Sequence, residues 1–365
     1  MKKSIIISLF LLISGLGFSQ THYTVSGKII DKNSKAALQG ASVFAQNTTF
    51  GVATDAEGQF TLRLPAGGYD LVVTYTGYET ESVRINNATA EDKNFSIELK
   101  PRERSLEEVS VVVSTEVKDG WVKYGGFFFE NFIGKSEFSQ QCQIRNPEVL
   151  KFYFSKKRNR LRVLANEPLV VANNALGYNI KYAIDSFTYD YNTSIAFFAG
   201  YPLFEEMEGD DVKKTLWKEN REVAYAGSML HFMRSLYNKT VEHEGFEVQF
   251  LVKNDDKETA LQLKDIYPAI NYLKDDSAKT VEFRPNQPDI AVIYKYEKPE
   301  QVYLDLFDTN GSKELQVSLL NILPNESIVI EANGYYYEQA DLTFNGYWGF
   351  EKVGDMVPYD FVVGK

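Results

Sequence analysis

The stretch Thr54-Asp55-Ala56-Glu57-Gly58-Gln59-Phe60-Thr61-Leu62-Arg63-Leu64 (TDAEGQFTLRL) joins a cluster of turn formers to an alternating run. Asp55 carries a short carboxylate that can bond nearby backbone amides, and Gly58 tolerates positive φ, so the segment predicts a hairpin turn. Phe60, Leu62 and Leu64 then alternate with Thr61 and Arg63, the period of a strand with one buried face. The alternation returns at Leu71, Val73 and Tyr75 after the turn Pro65-Ala66-Gly67-Gly68, and Gly77 breaks that strand. On the N-terminal side, Val25 and Lys28-Ile29-Ile30 precede a polar turn at residues 31–35, and Gly40-Ala41-Ser42-Val43-Phe44-Ala45 reads as the next strand. Phe95-Ser96-Ile97-Glu98-Leu99 is the last of the series. Short strands at this spacing predict a small antiparallel β-sandwich. The carboxylates of the quoted stretch then shape backbone and carry no chemistry.

Four segments in this order, VSGKIID from Val25, LQGASV from Leu38, TDAEGQFTL from Thr54 and YDLVVTYTGYE from Tyr69, resemble the carboxypeptidase-regulatory-like domain. The resemblance implies a transthyretin-like, seven-stranded antiparallel β-sandwich over residues 22–100. Ala36-Ala37 stands where the family often has a proline. In Gram-negative envelope proteins such modules commonly precede others, including the plug of TonB-dependent receptors. Lys100-Pro101-Arg102-Glu103-Arg104-Ser105 is a charged break, and Leu106-Glu107-Glu108-Val109-Ser110-Val111-Val112-Val113 resembles the exit strand that leads to such a plug. Residues 101–118 are thus read as linker and exit strand, and 119–365 as a β-rich domain of unknown function.

At the N-terminus, Lys2 and Lys3 precede the apolar run Ser4-Ile5-Ile6-Ile7-Ser8-Leu9-Phe10-Leu11-Leu12-Ile13, with small Gly17 and Ser19 before Gln20. The run is shorter than the ~20 apolar residues that span a bilayer, so residues 1–19 are expected to be a signal peptide. Export to the periplasm, to the outer membrane or beyond it follows as an expectation. Cys142 is the single cysteine and is expected in a buried strand position, not as a nucleophile. The net charge of −11 repels phosphate backbones, which disfavours nucleic-acid partners. A composition 14% aromatic favours strands throughout.

Beyond residue 119, Leu150-Lys151-Phe152-Tyr153-Phe154, Leu161-Arg162-Val163-Leu164, the run Tyr178-Asn179-Ile180-Lys181-Tyr182-Ala183-Ile184, Ile293-Tyr294-Lys295-Tyr296 and Val302-Tyr303-Leu304-Asp305-Leu306 all alternate as strands do. Ser228 stands at an N-cap position, and Met229, Phe232, Met233 and Leu236 share one face, so residues 228–237 predict an amphipathic helix. A second helix is expected over residues 211–223. The overall expectation is a mainly β chain: a sandwich followed by a β-rich domain with a short helical insertion.

The histidines are His22, His231 and His243, and none has Glu at the third following position, so the His-x-x-Glu pair of zinc carboxypeptidases is missing. His231 falls off the apolar face of its helix and is expected to be solvated, while His243 sits between Glu242 and Glu244 as a weak metal or proton site at most. No Gly-x-Ser-x-Gly elbow occurs, and Gly125-Gly126 lacks the Lys-Ser/Thr of a phosphate loop. Asp275-Asp276 and Glu205-Glu206-Met207-Glu208-Gly209-Asp210-Asp211 lack the spacing of a calcium loop and read as solvated charge. No residue is assigned a catalytic, cofactor-binding or metal role, and no cofactor is expected.

Four aromatic patches are the candidates for a recognition surface: Gly126-Phe127-Phe128-Phe129, Tyr189-Asp190-Tyr191, Phe197-Phe198-Ala199-Gly200-Tyr201 and Gly334-Tyr335-Tyr336-Tyr337. Cross-strand core pairing is the competing reading of the same residues. The sequence therefore points to a non-catalytic exported protein, not integral to the membrane, that binds a peptide, a glycan or another envelope protein. Two alternatives stand beside it: a hydrolase with a non-contiguous carboxylate site in the second domain, and a small outer-membrane barrel.

Overall fold

The structure, a computed structural model, describes residues 22–86, 94–102, 116–254, 257–307, 313–337 and 339–364. The expected signal peptide and the exit strand from Leu106 to Val113 lie outside the described residues. Strands dominate, at 43% against 20% helix, and the described strands form five sheets, none of them closed into a barrel.

The N-terminal sandwich contains β1 (His22–Asp31), β2 (Ser42–Ala45), β3 (Gly51–Ala53), β4 (Gln59–Pro65), β5 (Tyr69–Thr74), β6 (Glu81–Ile85) and β7 (Asn94–Leu99). Its two sheets run β4-β1-β7 and β3-β2-β5-β6. Alternate residues of β1 and β4 point inward, so Val25, Ile29, Phe60, Leu62 and Leu64 meet Val43, Leu71 and Val73 from the facing sheet. All pairs are antiparallel except β1 with β7, which run parallel from Ser26↔Asn94 to Asp31↔Leu99.

The quoted stretch forms a tight turn, but the strands beside it belong to different sheets: β3 pairs β2 and β4 pairs β1. The turn is therefore a crossover over the edge of the sandwich and not a hairpin. Asp55 Oδ1 accepts the amides of Glu57 (3.1 Å) and Gln59 (2.7 Å), and Gly58 takes φ +75°. Thr54 Oγ1 donates to Leu38 O and accepts Ala41 N–H at 2.9 Å, which ties the second motif of the domain to the third.

The second unit opens with α1 (Gly120–Phe132) and continues through β8 (Cys142–Ile144), β9 (Leu150–Ser155), β10 (Arg160–Ala165), β11 (Leu169–Asn173), β12 (Tyr178–Asp190) and β13 (Ile195–Glu206). The sequence reading had no helix at α1, whose aromatic run looks strand-like locally. Phe128 and Phe132 lie one turn apart and are fully buried on the sheet, packing edge-on to Phe187 and Tyr182. Gly120 permits this approach, since a Cβ there would fall 2.7 Å from Phe152 Cβ.

Helices α2 (Asp211–Tyr225) and α3 (Met229–Asn238) follow where helices are expected, α3 capped by Ser228 as its position predicts and α2 capped by Asp210. The third unit contains β14 (Phe246–Asn254), β15 (Lys257–Gln262), α4 (Ile266–Ala269), β16 (Leu273–Asp275), β17 (Thr280–Phe283), β18 (Asp289–Tyr294), α5 (Gln301–Leu306), β19 (Gln316–Ile322), β20 (Ile328–Glu331), β21 (Leu342–Gly346) and α6 (Tyr347–Phe350). Its main sheet runs β15-β14-β18-β19-β21. Residues 302–306, expected as a strand, are the helix α5: Gln301 Nε2 donates to Asp305 Oδ1 one turn on, and Tyr303 packs against Tyr347 and Phe350. β18 begins at Asp289 and ends at Tyr294, leaving Lys295 and Tyr296 outside it.

The tail then returns to the second unit, where Val353, Val357 and Phe361 join the core of Phe128, Phe132 and Phe187.

Candidate functional site

Between the three units lies a cleft of about 1840 Å³. One wall is β13, with Ile195 62% and Phe197 59% exposed. Another is the outer side of the main sheet of the third unit, where Leu251, Ile293, Leu319 and Phe344 line the space, the last two 41% and 40% exposed. Alternation explains that wall: Val248, Phe250, Val292 and Leu320 turn into the core, and their sequence neighbours turn outward. Asp70, Asp185, Glu258 and Asp289 stand among the lining residues against Arg84, Lys253 and Lys352, and Glu351 and Asp355 add carboxyls whose charge burial opposes, so the lining leans acidic.

The end of the cleft is a polar junction that fastens the sandwich to the rest. Arg84 of β6 donates to Asp70 Oδ1 at 3.3 Å and to Glu331 of β20, and its guanidinium lies 3.9 Å from the Tyr335 ring centre and 4.8 Å from that of Tyr337. Glu331 also accepts the Tyr337 hydroxyl and, at 2.8 Å, the Gly68 amide. Burial opposes the charge on Arg84, but Glu331 and Asp70 outweigh it and push its pKa above the usual value. Nearby, Thr49 donates to Asp360, Tyr359 N–H donates to Asn47 O at 2.6 Å, and Phe44 and Val72 pack on Leu203.

Of the four aromatic patches, two reach the cleft. Phe197 to Tyr201 forms the β13 wall, and Tyr335 and Tyr336 line the junction end. The other two meet each other: the Phe127 ring is 4.6 Å from that of Tyr189 and 5.6 Å from that of Tyr191, an aromatic cluster over α1. The sequence could not separate these roles, because each patch is locally the same mixture of rings.

His231 is buried, contrary to expectation, because rings from outside its helix close over it: Tyr225, Phe246 and Tyr294. Its Nδ1 accepts the Gly227 amide at 3.2 Å, which leaves the proton on Nε2, 3.3 Å from Glu244 Oε2. Burial lowers its pKa, against the pull of Glu244. His243 is exposed, 3.8 Å from Glu244. Cys142 lies buried in β8, where burial pushes its thiol up to about 12.

The acidic runs have structural partners. Glu205 pairs with Lys181 at 2.6 Å, Glu206 with Arg221 at 2.8 Å, Asp210 caps α2, and Asp275 Oδ1 accepts two amides of its own turn. Among the described residues no group of three or more His, Cys, Asp or Glu is placed to hold a metal.

Sequence reasoning missed a set of sequestered carboxylates, Glu297, Glu300, Glu351 and Asp355. Burial pushes Glu297 and Asp355 each up to about 7 and raises Glu300 and Glu351. Glu351 and Asp355 line the cleft, yet Asp355 is committed to the Ser136 and Ser139 hydroxyls and the Lys352 amide, and so holds the tail to the segment after α1. For Glu351 and Asp355 the only local signal is the run of rings from Tyr347 to Phe350 that precedes them.

Comparison with known proteins places a family match within the sandwich and its exit: residues 25–111 match the model of the CarboxypepD_reg-like domain. TonB-dependent receptor P3 of Formosa agariphila is 25% identical over 113 residues, 31% of this chain and 11% of the receptor. TonB-dependent receptor P39 of the same organism is 33% identical over 94 residues, 26% of this chain and 9% of the receptor. The chain thus spans about a tenth of the length of the curated relatives it matches. Among solved structures, a streptococcal ancillary pilin matches 23% of this chain and 30% of its own at 19% identity and TM-score 0.19. A DUF3823 family protein from Bacteroides ovatus matches 74% and 90% at 10% identity and TM-score 0.18. Scores this low carry no argument. The match that does carry one assigns residues 25–111 of this chain to the CarboxypepD_reg-like domain family.

Proposed function

We propose that this chain is a non-catalytic, exported envelope protein that binds a peptide segment or another envelope protein in the cleft, with the CarboxypepD_reg-like sandwich buttressing one end. The observation that carries the reading is the exposure of Ile195, Phe197, Leu319 and Phe344 on two walls of one cleft. Large apolar side chains left in water around a concave space are the ordinary mark of a binding site. The envelope setting draws support from the domain family and from its receptor relatives. No helix among the described residues is long and apolar enough to cross a membrane.

Peptide and glycan arrays probed with the purified protein test the reading. Binding to peptides that is lost in both Phe197→Asp and Leu319→Asp is the expected result. Silence on both arrays, combined with hydrolysis of a substrate that Glu351→Gln or Asp355→Asn abolishes, would replace the reading with the hydrolase alternative.

A further inference from the structure

β13 lines the cleft differently from β14. β14, interior to its sheet, contributes alternate residues, Gln249, Leu251 and Lys253, as a sheet face must. β13 contributes every residue from 195 to 202, which happens when a strand turns its open edge to the space. Hydrogen bonds fix which backbone groups lie on that edge. Pro202 O accepts Asn47 N–H at 2.7 Å and Phe204 N–H donates to Thr48 O at 2.9 Å, so these residues point away from β12. Alternation puts the N–H and C=O of Ala196, Phe198 and Gly200 on the same side. Among the described residues β13 pairs only with β12 and, through Leu203, with Thr48.

Open edges normally carry lysine or proline to prevent pairing. Here the run Ile195-Ala196-Phe197-Phe198-Ala199-Gly200-Tyr201 has neither. At the point where the ladder to the sandwich ends, Asn47 is 6% exposed and its side-chain oxygen has no donor among the described residues. Carboxylates stand nearby: burial, and then Asp185, Asp70 and Glu81, push the Tyr201 hydroxyl up, and Asp185, on β12, is exposed and lines the cleft.

We propose that residues 196–200 of β13 take an extended polypeptide segment of alternating apolar and basic residues as an added strand, extending the line that Asn47 and Thr48 begin. Main-chain bonds to the edge supply affinity, and Phe197, Ile195 and Asp185 select the side chains. The inference rests on the peptide-binding reading of the cleft and specifies how the peptide is held.

The probe is a blocked octapeptide of alternating valine and lysine, titrated calorimetrically into the purified protein beside its valine–glutamate counterpart. The lysine peptide should bind about tenfold or more tighter than the glutamate one, and Asp185→Lys should remove that preference. Amides of residues 196, 198 and 200 should gain protection from hydrogen exchange. Two versions of the lysine peptide, N-methylated on alternate amides in opposite phase, should differ about tenfold or more, since only one phase faces the edge. Ala196→Pro, which deletes an outward N–H, should weaken binding while the methylated peptides give the same answer without altering the protein. Equal binding of the two methylated peptides, protection confined to Leu342–Gly346, or protection of residues 195–200 by self-association without peptide would each overturn strand addition. Peptide binding that ignores methylation but disappears in Leu319→Asp would overturn it and leave the cleft reading standing. Failure of the lysine peptide to bind, with other peptides bound on the array, overturns the basic-strand proposal alone.

Discussion

Arg84→Ala should loosen the sandwich from the rest of the molecule. The side chain is 25% exposed and its partner Glu331 10%, which places the pair between two regimes. Exposed pairs contribute about 0.2–1 kcal/mol, while removing one partner of a fully buried pair costs about 3–5 kcal/mol. Glu331 would keep the Gly68 amide and the Tyr337 hydroxyl, which softens the loss, but Arg84 also leaves the faces of Tyr335 and Tyr337. Stacking of that kind contributes about 0.5–2 kcal/mol, so the expected destabilisation is about 2–3 kcal/mol. The assay is urea unfolding followed by two probes. Trp121, Trp217 and Trp348 all lie outside the sandwich, so tryptophan fluorescence reports the second and third units, while far-ultraviolet circular dichroism reports all strands. Coincident transitions in the wild type should separate in Arg84→Ala. A double-mutant cycle with Glu331→Ala should return a coupling of about 1–2 kcal/mol. A coupling near zero with transitions still coincident would refute the argument, because the junction would then be solvent-screened contact that fastens nothing.

Gly58→Val combines a forbidden φ of +75° with a Cβ 2.6 Å from Ile29 O, so the sandwich should lose about 2–4 kcal/mol; an unchanged melting transition would contradict the turn geometry. Asp355 has a folded pKa of about 7, above the 3.8 of an unperturbed Asp, so the folded state holds the proton more tightly. Its contribution is present below about pH 4 and is lost as pH rises toward 7; Asp355→Asn should flatten that slope, by at most about 1.4 kcal/mol per pH unit, in denaturant midpoints measured from pH 4 to 8. The buried Cys142 thiol should react with a disulfide reagent at pH 8 only as fast as the protein opens, and rapid stoichiometric labelling of the native state would show the thiol exposed.

The sandwich was legible because its determinants are local. β1 and β4 alternate, the turns starting at Asp31, Thr54 and Pro65 carry their own Asp or Gly, and Asp55 bonds amides two and four residues away. α2 and α3 were legible for the same reason, with Asp210 and Ser228 each capping its own helix. Even here a tertiary fact intruded: the turn at Gly58 reads identically whether its strands pair with each other or with different sheets. α1 and α5 were not legible, since Phe127-Phe128-Phe129 and Val302-Tyr303-Leu304 satisfy a strand pattern over short windows. Contact with Phe187 and Tyr182, or with Tyr347, decides for a helix.

By itself, then, the sequence determined a mainly β chain, the CarboxypepD_reg-like module and the candidate aromatic surfaces. Only the tertiary structure decided which rings are core and which line a cleft, that His231 is buried, and that the tail carries sequestered carboxylates. The junction joins Arg84 to Glu331, and the β13 ladder joins Asn47 to Pro202, across long spans of chain that no local window contains. An open edge is decided by what does not lie beside a strand, and burial by what closes over a side chain, so neither is written in the residue that shows it.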